Sequence, residues 1–307
     1  MQTPTLRQLQ FLVAIADTGS FSRAAEQCHV TQPTLSTAIR EVEAMMDVQL
    51  VERHARGTVL TSAGEIAAER AKMILASAQD LVAATRQTAS PLTGPFRLGA
   101  IPTVAPFLLP SVLKPLRAAY PDLKLFIRED TTDRLLEALR TRSLDAALIA
   151  LPWPTPGIEH ETLFSDAFMV VSPVTHPLAS EGAKTPGDLL DEDILLLEDG
   201  HCLRDHTVKL CNLPAQRDKT DVTATSLLTL AYMVEGGLGV SMLPRLAVDA
   251  GLTKGMDVHV SGFEPAMVGR EIGIAWRAGS PREEEARLVG NLCARYRPKP
   301  KRANGVP

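Results

Sequence analysis

The 307-residue sequence lacks the features of a membrane or secreted protein. It contains no run of about eighteen apolar residues, the length at which an apolar stretch becomes a candidate transmembrane helix. Its first residues, MQTPTLRQLQFLVAIADTG, lack a basic leader and a small-residue cleavage site, so we expect no secretory signal. These absences predict a cytoplasmic protein with no membrane partner.

The sequence also has few cysteines and only a small net charge. The four cysteines are too few for a disulfide scaffold, and in a reducing compartment a disulfide is typically catalytic or sensory. The formal net charge of −4 gives no overall attraction to nucleic acid, so any DNA contact must come from locally placed side chains. The length predicts about two domains.

The first sixty residues contain the pattern of two short helices joined by a tight turn. Ser20 or Ser22 can cap the first helix, and Thr31 followed by Pro33 is a suitable start for the second. One apolar stripe with helical spacing runs along the second helix and comprises Leu35, Ile39, Val42 and Met46. This organisation predicts a helix-turn-helix.

The other face of the second helix carries side chains that hydrogen-bond to base edges and phosphates. The predicted DNA-contacting residues of this helix are Gln32, Pro33, Thr34, Ser36, Thr37 and Arg40. After it, LVERHARGTVLTSAG predicts a small wing that places Arg53, His54 and Arg56 near phosphates. The alternative is a plain helical pair with a solvated polar face, because acidic side chains outnumber basic ones in residues 1–65.

Residues 61–90 predict one long helix, since they contain no proline and glycine occurs only near the start. A stripe close to the seven-residue period consists of Ile66, Met73, Ile74, Leu81 and Val82. A helix of this kind cannot bury its stripe alone, so we expect it to pair with a second subunit; packing against its own domain is the alternative. SPLTGP, residues 90–95, then marks a domain boundary.

Beyond this boundary, strand and helix patterns alternate, which is typical of parallel sheets covered by helices. The predicted strands are FRLGAI, KLFIRE, DAALIAL, FMVVS, ILLLE, GVSMLP and REIGIAW. If REIGIAW returns to the first sheet, the region forms two α/β lobes. The first lobe then covers residues 91–165 and 269–297, and the second covers residues 166–268.

Cys202 and Cys211 are nine residues apart and admit three interpretations. Buried thiols are the default for free cysteine. A metal site would need more ligands, and although His201 and His206 are near, there is no C-x-x-C motif. A redox pair is the third interpretation, because a helix N-terminus together with His201, Arg204 or His206 would stabilise a thiolate. Such a thiolate attacks peroxide to give a sulfenic acid, which a second thiol can resolve.

The stretch FSRAAEQCHVTQPTLSTAIREVEAMMDVQLVERHARGTVLTSAGE resembles the DNA-binding domain of LysR-type transcriptional regulators. The resemblance implies an α/β protein with a winged helix-turn-helix on residues 1–60, a linker helix on 61–90 and a two-lobe, periplasmic-binding-protein-like regulatory domain on 91–307. It makes the helix beginning near Thr31 the recognition helix. It also implies a regulator rather than an enzyme, which binds double-stranded DNA as a dimer or dimer of dimers and contacts RNA polymerase.

A second resemblance, to the peroxide-sensing members of that family, rests on LLEDGHC, on IPTV at residues 101–104 and on the ATSL segment near Thr225. It implies that Cys202 reacts with hydrogen peroxide and that Cys211 resolves the product, with no cofactor. The peroxide pocket that it implies consists of Thr103, Thr132, His201, Cys202, Asp205 and Arg270. Cys28 and Cys293 receive no redox role. NLPAQRDKTDV, which follows Cys211, departs from the family pattern.

The cysteine spacing also predicts a conformational switch. If residues 202–211 are helical when reduced, nine residues span about 13.5 Å and turn about 900°, which puts the cysteines on opposite faces. A disulfide needs Cα atoms within about 7 Å, so the helix must unwind before the cysteines can join. We expect this refolding to alter the spacing of the DNA-binding domains. The alternatives are a LysR-type regulator that senses a small metabolite in the interlobe cleft, and a thiol peroxidase.

Overall fold

The computed structural model describes residues 3–54, 57–86, 91–153, 155–180, 182–210, 223–264 and 268–298. The chain divides into two compact units. The first comprises Met1–Ser90 with Arg140–Ser143, and the second comprises Pro91–Leu139 with Leu144–Pro307. Among the described residues, no helix combines the length and the apolar character needed to cross a bilayer.

The first unit is a winged helix-turn-helix followed by a long helix, as predicted. Its elements are α1 (Leu6–Thr18), α2 (Phe21–Gln27), α3 (Gln32–Met46), β1 (Val51–His54), β2 (Gly57–Leu60) and α4 (Ser62–Arg86). The strands β1 and β2 pair in antiparallel register and form the wing.

Local hydrogen bonds explain where the helices of this unit begin and end. The Ser20 hydroxyl accepts a hydrogen bond from the Arg23 N–H, so Ser20 rather than Ser22 caps α2. The Thr31 hydroxyl accepts from the Thr34 N–H and caps α3, which ends at Asp47 in the left-handed conformation.

Three of the four residues in the predicted α3 stripe are buried in the core of this unit, namely Leu35, Ile39 and Val42. The prediction was wrong for Met46, whose side chain is 40% exposed. Met46 is the last residue of α3, and the left-handed Asp47 turns the chain immediately after it, so the helix offers no further turn that would help to cover its side chain.

The second unit is a mixed α/β domain. In its first half lie β3 (Gly94–Ala100), α5 (Ala105–Ala119), β4 (Leu123–Glu129), α6 (Thr132–Arg140), β5 (Ala146–Leu151) and β6 (Ile158–Pro173). In its second half lie β7 (Leu196–Leu197), α7 (Cys202–Leu210), β8 (Thr223–Ala224), α8 (Leu227–Glu235), β9 (Ser241–Pro244), α9 (Arg245–Asp249), β10 (Val258–Gly262), β11 (Gly269–Arg277) and α10 (Glu283–Tyr296).

The main sheet of this unit has the strand order β10-β6-β11-β5-β3-β4, and β9 also pairs with β6. The strands β3, β4 and β5 are parallel, as expected. The prediction of parallel sheets was wrong for the rest of the main sheet, because β11 is antiparallel to β5 and β6, and β6 is antiparallel to β9 and β10. The separate short pair of β7 and β8 is parallel. Apolar periodicity identifies a strand but does not report its direction, which depends on its connections.

The long strand β6 joins two parts of the sheet. Residues 158–167 pair with β11, and residues 168–173 pair with β9 and β10. FMVVS predicted only the second part, since the first part, IEHETLFSDA, carries polar residues between its apolar ones. VHVSG, which forms the whole of β10, was also missed as a strand. ILLLE forms only the short strand β7, while Ile194 contributes an isolated bridge to Val240.

Two hydrophobic cores lie along this sheet. The first includes Phe96 and Trp276, and the second includes Phe168 and Met242. Cys202 packs in the first core, whereas its neighbour Leu203 packs in the second. The beginning of α7 therefore lies where the two cores meet.

Candidate functional site

The exposed face of α3 carries most of the predicted DNA-contacting side chains. Its exposed residues include Gln32, Pro33, Thr34, Thr37 and Arg40. Two of them are positioned by neighbours: the Gln32 amide oxygen accepts a hydrogen bond from the Ser22 hydroxyl at 3.2 Å, and the Thr34 and Thr31 hydroxyls lie 2.8 Å apart.

Ser36 does not lie on this exposed face, and its predicted placement was wrong. Its side chain is buried, because on a helical wheel it stands only about 60° from the core residue Ile39. In the wing, His54 is exposed and its ring lies 3.2 Å from the Glu52 carboxylate. The side chain of Arg53 and the whole of Arg56 lie outside the described residues.

Cys202 is the first residue of α7 and is 5% exposed. The turn before it depends on Gly200, whose φ of +89° is in the left-handed region that favours glycine. This turn packs against Thr131, which lies 3.6 Å from the position that a Cβ on Gly200 would occupy. The sequence DGHC therefore forms a tight turn at the start of α7, and this turn places the Cys202 sulfur in the domain interior.

Arg270 is the group that organises the surroundings of Cys202. Its buried side chain places Nη1 2.7 Å from Thr103 Oγ1 and 3.7 Å from Cys202 Sγ. Nη2 also donates to the Thr103 carbonyl at 3.2 Å. The structure thus brings together three residues that are far apart in sequence: Thr103, Cys202 and Arg270. The arginine therefore directs an N–H donor at the cysteine sulfur.

Asp166 belongs to the same cluster but was missed in the sequence. One carboxylate oxygen accepts a hydrogen bond from Arg270 Nε at 3.1 Å and lies at an ion-pair distance of 3.1 Å from Nη2, and the other accepts from the Leu246 N–H at 2.9 Å. Both side chains of the ion pair are inaccessible to solvent, at 1% exposure for Asp166 and 0% for Arg270. An aspartate between two phenylalanines in the apolar segment FSDAF was the signal available in the sequence.

Thr132 is buried at the beginning of α6, directly after the Thr131 that packs against the turn of Gly200. Its hydroxyl has no hydrogen-bond partner among the residues that the structure describes. A buried polar atom of this kind normally binds something, so it marks a position where a small polar molecule can be held.

The remaining predicted pocket residues lie at the solvent side of α7. His201 is partly exposed and immediately precedes the helix, and Asp205 is exposed in its first turn. The structure therefore does not bring Asp205 into the buried cluster. Arg204 is held by the Asp199 carboxylate at 2.7 Å and donates to the Leu197 carbonyl at 3.3 Å.

His206, which the sequence offered as a possible partner of the Cys202 sulfur, lies in the second turn of α7. Its Nδ1 lies 2.7 Å from the Cys202 carbonyl oxygen, to which it donates, and its ring contacts Phe168. Burial lowers the pKa of His206; the hydrogen bond to the Cys202 carbonyl opposes this, and the positive charge of Arg270 adds to it. His206 therefore favours its neutral form beside Cys202.

The other cysteines differ in environment. Cys211 lies outside the described residues, so its separation from Cys202 stays a prediction. Cys28 is buried in the first unit, and burial raises the pKa of Cys293 in α10 to about 12. In the described part of the chain, no three histidine, cysteine, aspartate or glutamate side chains converge to hold a metal ion.

Comparison with protein families identifies both parts of the chain. Residues 6–65 match the bacterial regulatory helix-turn-helix protein model of the lysR family. Residues 89–297 match the LysR substrate binding domain model.

Individual relatives share most of the chain. A probable hydrogen peroxide-inducible genes activator of Mycobacterium leprae (strain TN) is 37% identical over 296 residues, which cover 95% of each chain. The DNA-binding transcriptional dual regulator OxyR of Escherichia coli (strain K12) is 36% identical over 276 residues, which cover 90% of each chain.

Two solved structures are similar over the full length. A cysteine variant of full-length OxyR from Pseudomonas aeruginosa has a TM-score of 0.78 at 34% identity, covering 95% of this chain and 98% of that one. A hydrogen-peroxide-bound OxyR cysteine variant from Corynebacterium glutamicum has a TM-score of 0.66 at 36% identity, covering 96% of this chain and 93% of that one.

Proposed function

The chain belongs to the LysR-type family of transcriptional regulators, and we propose that it senses hydrogen peroxide by oxidation of Cys202. Its relatives include proteins named for peroxide-inducible gene activation, and it is a DNA-binding regulator rather than an enzyme. One observation carries the proposal: the buried Cys202 sulfur lies 3.7 Å from Arg270 Nη1, beside the Thr103 hydroxyl. The Arg270 N–H is placed to donate to the sulfur, and the burial of Cys202 favours small oxidants over bulky ones.

The first step is attack of the Cys202 thiolate on one peroxide oxygen. The sulfur–oxygen bond forms as the O–O bond breaks, so the sulfur is oxidised to a sulfenic acid. The electron pair of the O–O bond leaves with the distal oxygen as hydroxide, which takes a proton and becomes water. Hydrogen-bond donors near this oxygen accelerate the step, because they stabilise the charge that develops on it.

Two threonine hydroxyls supply such donors. The Thr103 oxygen accepts the Arg270 N–H at 2.7 Å, which leaves its own proton free to donate to a bound peroxide. The Thr132 hydroxyl has no partner among the described residues and offers a second donor. His201 completes the entrance, and Asp205, which is exposed, acts at the solvent side of the same pocket.

The second step joins Cys202 to Cys211 with release of water from the sulfenic acid. The described part of α7 is helical from Cys202 to Leu210, which supports the need for unwinding before a disulfide can form. Because Cys202 packs in one core and Leu203 in the other, withdrawing Cys202 disturbs the junction of the two lobes. This change is the signal that we expect to alter DNA binding.

DNA binding and assembly complete the proposal. The exposed side chains of α3 contact the major groove, and Arg53 and Arg56 of the wing contact phosphates. The exposed apolar side chains of α4, Ile66, Ile74 and Leu81, support its pairing with a second subunit in a dimer or dimer of dimers. We place the domain boundaries at residues 60 and 90, the regulator in the cytoplasm, and RNA polymerase among its partners.

The test is to treat the reduced protein with stoichiometric hydrogen peroxide and to map disulfides by mass spectrometry. We expect a Cys202–Cys211 bond to form rapidly, and to be absent from Cys202→Ser. In Cys211→Ser we expect Cys202 to stop at the sulfenic acid, which a dimedone adduct detects. Cys293→Ser serves as the matched control, because that thiol is buried elsewhere. Failure of Cys202 to react at low peroxide would instead favour metabolite sensing.

A further inference from the structure

Asp166 joins three parts of the regulatory domain through a single buried carboxylate. It lies on β6, pairs in register with Arg270 of β11 and accepts the Leu246 N–H at the beginning of α9. The pair is positioned where β6 passes from β11 to β9 and β10. Asp166 is therefore fixed by the sheet rather than by a mobile loop.

The contacts of Asp166 fix the orientation of the Arg270 guanidinium. Arginine has five N–H donors in one plane. Asp166 takes the Nε donor and pairs ionically with Nη2 at 3.1 Å, and the Thr103 carbonyl accepts a hydrogen bond from Nη2. With Nε and Nη2 held in this way, Nη1 faces Thr103 Oγ1 and Cys202 Sγ and donates to both.

The adjacent glycine restricts the strand spacing around this ion pair. A Cβ on Gly269 would lie 2.7 Å from the Asp166 carbonyl oxygen and 2.8 Å from the Ala167 Cα, closer than real Cβ atoms approach. Because glycine allows β11 to approach β6 here, the Arg270 and Asp166 side chains project from closely spaced backbones that are paired in register.

We infer that Asp166 is a positioning residue for the oxidation of Cys202. It does not touch the sulfur; it holds Arg270 so that Nη1 directs its N–H groups to Cys202 and to the Thr103 hydroxyl. This inference rests on the proposed function and extends it to a residue on a different strand. Asparagine cannot replace the carboxylate, because its single oxygen serves either Arg270 or Leu246 while its NH₂ group faces the other donor.

The experiment compares two reactions of Cys202 in the full-length protein. Peroxide oxidation needs donors at the leaving oxygen, whereas alkylation by iodoacetamide needs only an accessible thiolate. Both rates are followed by mass spectrometry of the Cys202 peptide, at a pH where the alkylation rate has reached its plateau. For Asp166→Asn we expect peroxide oxidation to slow by at least about tenfold, with the alkylation plateau within about twofold of the parent.

Glu285→Gln is the matched control, because Glu285 also bridges an arginine and a backbone N–H. Its carboxylate accepts from Arg282 Nε and from the Leu92 N–H, the latter at 2.8 Å. We expect this variant to oxidise at the parent rate. An equal slowing in both variants, or a faster alkylation plateau in Asp166→Asn, would mean general loosening and would overturn the positioning role.

Asp166→Glu provides a second, charge-preserving variant. It shifts the carboxylate by one methylene, so a positioning role predicts peroxide oxidation several-fold slower than in the parent but faster than in Asp166→Asn. If Asp166→Asn does not fold, Asp166→Glu serves as the test instead. An unchanged rate of peroxide oxidation of Cys202 in that variant overturns the inference. If Cys202 is not oxidised in the parent protein, the proposed function itself is wrong. If the parent reacts and the Asp166 variants react equally fast, only the positioning role is wrong.

Discussion

Thr103 and Thr132 are both buried, but their hydroxyl groups differ in what they bind. The Thr103 oxygen accepts an N–H of Arg270, whereas the Thr132 oxygen has no partner among the described residues. Valine is nearly isosteric with threonine, so replacing each in turn separates a structural hydrogen bond from a ligand contact.

We predict opposite effects of the two substitutions on stability. Thr103→Val leaves a buried guanidinium donor unpaired and should lower the free energy of unfolding by about 1–3 kcal/mol. Thr132→Val removes an unpaired polar atom and should leave the stability unchanged or slightly higher. Both should slow peroxide oxidation of Cys202. Urea denaturation and stopped-flow oxidation measure the two quantities.

The outcomes are distinguishable. An equal loss of stability in Thr132→Val would show that its hydroxyl has a structural partner. A normal oxidation rate in Thr132→Val would remove this residue from the peroxide pocket.

Cys293 predicts an alkaline dependence of stability. Burial raises the pKa of Cys293 from 9.0 to about 12, so the folded state keeps the proton that the unfolded state has already lost above pH 9. This contribution to stability is fully present below pH 9 and is lost as the pH rises towards 12. By pH 10.5 about 2 kcal/mol of this contribution to the free energy of unfolding has been lost.

The measurement is urea denaturation at pH 8 and pH 10.5, for the parent and for Cys293→Ala. The parent should lose more stability over this interval than the variant does. An equal loss in both proteins would mean that Cys293 ionises in the folded state as readily as it does in the unfolded chain.

At the scale of the element, α7 combines a glycine-dependent entry with a titratable side chain. Gly200 provides the left-handed turn, and His206 donates from Nδ1 to the Cys202 carbonyl. Because the pKa of His206 is lowered, the helix gains stability from neutral histidine above its ordinary value of 6.5, and loses it as the pH falls through the lowered pKa. Protonation would add a positive charge close to Arg270 and Lys209, only partly offset by Asp205.

We predict that acidification loosens α7 in the reduced protein. Amide hydrogen exchange, corrected for the intrinsic effect of pH, should be faster in Cys202–Leu210 at pH 5 than at pH 7.5. His206→Gln keeps a donor for the Cys202 carbonyl but cannot become charged, so its exchange should not depend on pH. The α8 segment Leu227–Glu235 serves as the internal control. A parent protein with equal protection at both pH values would contradict the prediction.

Local signals made the helix boundaries predictable. Contacts between residues that are far apart in the sequence could not be predicted. Ser20 and Thr31 act on residues three positions away, so their capping roles are visible in the sequence. The ion pair of Asp166 and Arg270 joins residues 104 positions apart and requires the register of two strands. Strand direction was unpredictable for the same reason, since it depends on which strands become neighbours.

At the scale of the whole molecule, the exposed apolar face of α4 is the feature that needs a partner. Ile74 and Leu81 are 48% and 68% exposed in the single chain. A lone helix face of this kind is stabilised when a second copy covers it.

We predict that Ile74→Glu combined with Leu81→Glu shifts the proposed dimer to monomer, because in a dimer paired through α4 two like charges would meet across the helices. Sedimentation velocity measures the assembly state. DNA affinity should fall at the same time by more than about tenfold, since each subunit then binds one half-site alone. Val174→Glu is the control, because Val174 is 55% exposed in the other unit. A double variant that sediments like the parent would exclude α4 as the dimer contact.

The course of β6 through both cores constrains how this domain can change over evolutionary time. A recombination event that replaced one lobe with the lobe of a relative would cut β6 near Ala167, and would have to cut or re-pair β11 as well. Each lobe would then contain half of a strand whose side chains had evolved to pack against a different neighbour. The two lobes should therefore be inherited together, and new sensing chemistry should arise by substitution around Cys202 rather than by exchange of lobes.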